Sequence, residues 1–395
     1  MPRTATTKSF QLALLATVLS FSLGVPGLVL AQQPGGPPPA AGGAGPEGAG
    51  VESYWTPERL QGARPPQLPA PDRTGPQGLP EGAELEAPQR ERPPRQPEST
   101  KPAEQRARPP AVPRDSSLER QLMPEVQQSE SVGPEAVSSF GAFFTTSRVF
   151  PDAATTAYPY STVGKLFFHD PRRNTDHVCS ASVIRPRIVA TAGHCVSNPS
   201  TNPTQRYFFT NFMFAPAFNN GAAPFGTWTS GQQWVLDAWH HSDGSVPNSG
   251  DVALLVINDR NVGGQTRKIG EITGMLGHVL NALSKNHLTL LGYPCNLDSC
   301  ARMQITAAGS FASGGNNTFI YGSASRGGHS GGPWIQDFGV RPSSNPGLPL
   351  GLNLLVGITS YGPTATEPKY LGASNLNSSF TNMLNKACVA TTGNC

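Results

Sequence analysis

Three short segments of this 395-residue chain carry side chains that can act together: Thr191-Ala192-Gly193-His194-Cys195, Asp251-Val252-Ala253-Leu254-Leu255 and Gly327-Gly328-His329-Ser330-Gly331-Gly332-Pro333. A serine hydroxyl is a weak nucleophile until a neighbouring imidazole takes its proton, and a carboxylate that fixes the imidazole tautomer also stabilises the charge that forms. These roles assign Ser330 as nucleophile, His194 as general base and then acid, and Asp251 as orienter. The reaction they suit is acyl transfer, and no motif implies a metal or organic cofactor. Glycines around Ser330 allow a sharp backbone turn that can aim the amides of Gly328 and Ser330 at a developing oxyanion, and one such donor is worth about 3 kcal/mol in the transition state. Singly, a histidine after a strand or an aspartate before an apolar run is more often structural. The three together carry the reading.

Gly328-His329-Ser330-Gly331-Gly332 also fits the G-x-S-x-G elbow of α/β-hydrolases. That fold needs a histidine after the serine, and none follows His329; it also needs a helix directly after the serine, where Gly331-Gly332-Pro333 opens an extended segment. Zinc is disfavoured because Cys295-x4-Cys300 and Cys388-x6-Cys395 lack tight C-x-x-C spacing and there is no H-E-x-x-H. His240, His241 and Asp243 read as a solvated loop.

The elements that must position these groups occupy the second part of the chain. All 6 Cys and all 8 His follow residue 165, whereas residues 32 to 115 hold 20 of the 40 Pro. Charge is −1 over residues 1–148 (14 basic, 15 acidic) and +4 over 149–395 (15 basic, 11 acidic). Neither value nor any Lys/Arg run makes the basic footprint that a nucleic acid requires. Residues 1–31 read as a secretory signal: Arg3 and Lys8 lead an apolar stretch from Leu12 to Leu30, with Val29-Leu30-Ala31 as cleavage site. No later segment is apolar enough to span a membrane. The expected destination is therefore outside the cell or a periplasm. Residues 32–148 read as a disordered Pro/Gly-rich linker or pro-segment, because up to Arg114 the only aromatic residues are Tyr54 and Trp55 and little can be buried against the entropy of ordering.

From Val149 onward the apolar runs are short, β-branched and broken by Gly, Asn and Pro: 178–184, 188–192, 252–257, 288–291 and 354–359. These predict strands, and no internal repeat of fixed period is visible. Only Phe380, Met383, Leu384 and Ala387 show helical spacing, which predicts one terminal helix in an all-β barrel or sandwich. In an exported chain, six cysteines read as three disulfides. Six allow 15 pairings; proximity favours Cys179 with Cys195, Cys295 with Cys300 and Cys388 with Cys395.

The three chemical segments resemble the histidine, aspartate and serine motifs of the chymotrypsin/trypsin family of serine peptidases, over about residues 149–395. The resemblance implies two six-stranded antiparallel Greek-key β-barrels with the active site between them, and makes Cys179–Cys195 the histidine-loop bridge. It also places Ala324 and Ser325 at the specificity pocket and Ser360, Tyr361 and Gly362 on the strand that pairs with substrate. Ala324 stands where trypsin-like enzymes hold an aspartate for Arg or Lys, which disfavours those residues in the protein or peptide substrate. Ser325 and Arg326 leave an acidic preference open, but Thr359 stands where glutamyl endopeptidases carry a histidine, and uncharged side chains are the expected preference. His329 replaces the aspartate that pairs with a freed amino terminus in trypsin-like zymogens. Bacterial secreted members, including glutamyl endopeptidases, also lack that aspartate, and residues 156–160 are similar to their amino-terminal region. Arg148-Val149 is a candidate processing point. A monomer with a pro-segment acting within its own chain is the expectation. The competing reading is a catalytically inactive peptidase-fold binding or adhesion module tethered by the Pro-rich segment.

Overall fold

The computed structural model describes residues 46–66 and 142–395, apart from 285, 341–350 and 364–367, together with short pieces at 28–30, 77–78, 89–92 and 95. Of the expected signal segment only 28–30 is described, as a strand paired antiparallel with Trp234–Leu236; the rest lies outside the described residues, as does much of 67–141.

The β-branched runs form strands that close into two barrels. The first comprises β1 (Val163–Asp170), β2 (Thr175–Val183), β3 (Ile188–Thr191), β4 (Thr210–Pro216), β5 (Trp228–Leu236) and β6 (Ala253–Ile257). Their order around the barrel is β1-β2-β3-β6-β5-β4, with β4 closing on β1. The second comprises β7 (His287–Gly292), β8 (Gln304–Gly315), β9 (Thr318–Gly322), β10 (Pro333–Gln336), β11 (Leu354–Tyr361) and β12 (Tyr370–Asn375). Its order is β7-β8-β9-β12-β11-β10, with β10 closing on β7. The two orders are the same Greek key. The chain therefore repeats at the level of topology without a repeat in its residues.

Closure pairs each barrel strand on both sides over at least part of its length, and the interiors are filled by large apolar side chains. Leu166, Phe168, Phe214, Val235 and Leu255 share one buried face in the first, and Leu288, Leu290, Phe319, Trp334 and Val356 are buried in the second. Phe144–Arg148 adds a further strand to β8, and the Val149 amide donates to the Met303 carbonyl at 3.0 Å. Paired strand structure thus extends to residues before 149, and the candidate processing bond lies at the end of a paired strand.

The terminal helix, α1 (Ser378–Ala390), buries Phe380, Met383, Leu384 and Ala387, the four residues picked out by spacing. Asn377 caps it, its side-chain oxygen accepting from the amides of Ser379 (3.0 Å) and Phe380 (3.4 Å). The helix leaves the second barrel and packs on β5 and β6 of the first, tying the two together. All three disulfides form with the pairing that proximity favoured.

Cys179–Cys195 joins β2 to the turn that carries His194, closing a loop of 16 residues. Replacing both cysteines by alanine should lower unfolding free energy by about 3 kcal/mol on the loop-entropy scale. Urea unfolding of wild type and double variant measures this; equal midpoints would show that the bridge does not hold the turn.

Candidate active site

Strand register brings the site together. In the antiparallel β3–β6 pair, Thr191 lies opposite Ala253. His194, three residues beyond Thr191, and Asp251, two before Ala253, therefore emerge at the same end of the first barrel. In the β10–β11 pair, Pro333 lies opposite Ile358, which brings Ser330 and Ser360 to one end of the second barrel.

The Asp251 carboxylate is fully buried and receives three hydrogen bonds. Its Oδ1 accepts from the His194 backbone amide at 2.8 Å, and its Oδ2 is 2.8 Å from His194 Nδ1 and accepts from the Ser360 hydroxyl at 2.6 Å. A buried carboxylate acting only as an acceptor makes Nδ1 the protonated nitrogen of a neutral His194, leaving Nε2 as the basic atom. Nε2 is buried with no hydrogen-bond partner among the described residues, so it makes no bond to the Ser330 hydroxyl here. Trp239 packs edge-on against the imidazole, with ring centres 6.1 Å apart.

Ser330 is held through its backbone. Its carbonyl accepts from the Ser180 amide at 2.7 Å, and the Gly331 and Gly332 amides donate to the carbonyls of Thr359 and His329, both at 2.8 Å. Gly331 has φ +80°, and a side chain there would collide with Thr191 and the Ser180 carbonyl. Gly328 has φ +95° and abuts the Tyr293 carbonyl, which again leaves room only for glycine. The peptide planes before Gly328 and Ser330 are anchored by their carbonyls: Gly327 C=O accepts from Cys295 N–H (2.7 Å) and His329 C=O from Gly332 N–H. In a trans peptide the N–H points opposite its carbonyl, so both amides face away from these anchors.

His329 is fully buried, and burial pushes its imidazole down to about 4. Its Nδ1 is 3.1 Å from Thr359 Oγ1, which also accepts from Trp334 Nε1 (2.8 Å) and donates to the Gly332 carbonyl (3.2 Å). A neutral hydrogen-bonded network thus stands beneath the serine loop where an ion pair with an amino terminus was the alternative.

The other expected residues divide. Ala324 is half-buried, its amide donating to Thr146 Oγ1 at 3.1 Å and its carbonyl accepting from Asn296 at 2.9 Å. Ser325 is fully buried, and its hydroxyl has no partner among the described residues. Gly362 follows β11 and packs beside Leu371. Ser360 and Tyr361 do not present their side chains to a substrate. The Ser360 hydroxyl is committed to Asp251, and the buried Tyr361 hydroxyl meets Thr318 Oγ1 at 3.0 Å.

One expectation is corrected: His240 does not lie in a solvated loop. It is 6% exposed, stacked on Phe208 with ring centres 4.6 Å apart, and held down to about 4 by burial, with His241 and Arg206 adding to the shift. The apolar Phe208 face was the signal, but it lies 32 residues away in sequence. The one cluster of potential metal ligands among the described residues is Cys179, His194 and Cys195, whose two sulfurs are joined to each other.

A double Greek-key barrel with an aspartate–histidine pair and a serine at its junction is the architecture of a chymotrypsin-like peptidase. The sequence model of the trypsin family matches residues 153–384, and the chain belongs to that family. It is 25% identical over 211 residues to a glutamyl endopeptidase of Bacillus licheniformis, covering 52% of this chain and 59% of that protein. It is 24% identical over 102 residues to an extracellular metalloprotease of Bacillus subtilis, covering 26% and 31%. The chain thus spans less than two thirds of either curated relative. Among solved structures, the protease Anisep of Arthrobacter nicotinovorans superposes with a TM-score of 0.47 at 26% identity, over 60% of this chain and 99% of that one.

The buried histidines set a pH dependence of stability. His177 is also held below the usual imidazole range, chiefly by burial. With folded values depressed, the unfolded chain takes up protons first, so this stability is present above about pH 6.5 and lost as pH falls toward 4. The His329 share is at most about 1.4 kcal/mol per pH unit. Urea midpoints should fall in step from about pH 7 to about pH 4.5, and His329→Asn should flatten the slope. A wild-type midpoint constant across that window would contradict a neutral buried His329.

Proposed function

We propose that the protein is an exported serine endopeptidase with Ser330 as nucleophile, His194 as base and acid, and Asp251 as orienter. The observation that carries this reading is the Asp251 carboxylate, buried and bonded to His194 from one barrel and Ser360 from the other. Ser330 Oγ attacks the peptide carbonyl carbon while its proton passes to His194 Nε2. The resulting oxyanion is received by the Gly328 and Ser330 amides. The histidinium then gives its proton to the departing amine, and the acyl-enzyme forms. Water repeats the sequence: its proton goes to His194, its oxygen joins the acyl carbon, and Ser330 leaves with the proton returned. The His329–Thr359–Trp334 network supports a loop that keeps this shape without a freed amino terminus.

Ala324 supplies no anion for a buried Arg or Lys side chain of a substrate, an arrangement that costs several kcal/mol when the charge is unpaired. Thr359 is fully engaged beneath the loop, and the Arg326 guanidinium donates to the carbonyls of Ser325 (3.1 Å) and Pro368 (3.3 Å). We therefore assign uncharged side chains as the preferred class. Three disulfides suit an oxidising compartment, outside the cell or in a periplasm. Residues 1–31 would be the export signal, 32–148 the linker or pro-segment, and 149–395 the peptidase region.

Cleavage of a peptide library by the secreted protein should be lost in Ser330→Ala and fall about 10⁴-fold in kcat/KM in Asp251→Asn. Arg and Lys at the cleaved position should be at least about tenfold poorer than uncharged residues. Undiminished cleavage by Ser330→Ala would end the proposal.

A further inference from the structure

Residues 46–66 lie within the stretch whose composition suggests mobility, yet they are ordered against the first barrel. They form a helix over Pro46–Tyr54, a second over Pro57–Gly62 capped by the Thr56 side chain, and then an extended run to Pro66. The only two aromatic residues between Gln32 and Arg114 make the contacts. Trp55 is 5% exposed, its ring centre 5.6 Å from that of Phe167 and its Nε1 donating to the Asn211 carbonyl at 2.7 Å. The Tyr54 hydroxyl donates to Asp176 Oδ1 at 2.6 Å and lies 2.6 Å from His169 Nδ1. Arg59 Nη1 reaches Asp176 Oδ2 at 2.9 Å, and its guanidinium stacks 4.2 Å from the centre of the Tyr54 ring.

Beyond the second helix the chain joins the sheet. β2 meets β3 only from Ser182 onward, which leaves the edge at 176–178 open. Arg64 fills it, its amide donating to the Asp176 carbonyl (3.1 Å) and its carbonyl accepting from the Val178 amide (2.9 Å), in parallel with β2. Pro65 then rests on Gly327, where any side chain would meet the proline ring at about 3.0 Å. Arg64, Pro65 and Pro66 line one cleft of about 790 Å³ together with His194 and Trp239. The segment therefore runs from an anchor on the first barrel to the approach between His194 and the serine loop.

We propose that the face from Asn211 and Phe167 through Asp176 to Val178 is a docking surface for residues 54–66 of the same chain, which then cover the approach to Ser330. This rests on the peptidase reading above and deepens it. The covering bonds suit the task. Arg64–Pro65 and Pro65–Pro66 are tertiary amides, and the ring on each nitrogen crowds the position from which His194 would protonate a leaving amine. Two consecutive prolines also have little backbone freedom to lose on docking. The segment can thus lie beside a nucleophile without being consumed by it.

The test uses the full secreted chain, Trp55→Ala and the less intrusive Arg59→Ala, with two readouts. Amide hydrogen exchange at Arg64 and Val178 reports docking, and the rate of reaction of Ser330 with a fluorophosphonate reports access. Slow exchange and slow labelling in the wild type, with both at least about tenfold faster in Trp55→Ala and a smaller change of the same sign in Arg59→Ala, is the expected result. Free exchange at these amides in the wild type overturns the docking surface. Equal labelling rates despite a large exchange difference overturn the covering role. Absence of labelling in every form, with the amides still protected in the wild type, sinks the peptidase reading and leaves the docking surface standing.

Discussion

A carboxylate with no exposure to water must have its lone pairs occupied, and Asp251 meets that demand with groups from both barrels. His194 supplies two of its three hydrogen bonds from the first barrel, and Ser360 supplies the third from the second. Separating the barrels would strip this charge of one of its three partners. The same three bonds that stabilise the junction set the imidazole ring plane and leave Nε2 as the atom free to take a proton. Stability of the junction and readiness for chemistry are one arrangement.

The barrels serve that arrangement by repeating one topology. In the first, the third and sixth strands, and in the second, the fourth and fifth, bring their ends together, and His194, Asp251 and Ser330 sit on turns two or three residues beyond the paired positions. Rigid strands thus place side chains that the turns alone would not hold. The serine loop is pinned from four sides, by Ser180, Cys295, Thr359 and its own i to i+3 bonds. The buried neutral His329 belongs to that scaffold, which explains how a residue unable to provide an anion can occupy its position.

Much of this was legible in the residues. The segments around His194, Asp251 and Ser330 stood out because glycines, histidine, aspartate and serine occur there in an order that one chemistry uses, and α1 because Phe380, Met383, Leu384 and Ala387 share one face. The disulfide partners are near in sequence, so proximity sufficed. Long-range pairing was less legible. The Ser360 hydroxyl reaches Asp251 across 109 positions, and His240 is covered by a phenylalanine from another strand. The duplicated strand order leaves no residue repeat because barrels tolerate many apolar fillings of the same shape. Composition misjudged 54–66 for a related reason: two aromatic side chains and one arginine suffice when a sheet edge and the Asp176 carboxylate are already in place to receive them.

Activation of Ser330 by the Asp251–His194 pair is open to a direct test: mass spectrometry of protein exposed to a fluorophosphonate with the amino-terminal segment cut away. One adduct per chain is expected on the peptide containing Ser330, and none on Ser330→Ala. An adduct on another residue, or no adduct from a folded and processed chain, would contradict it.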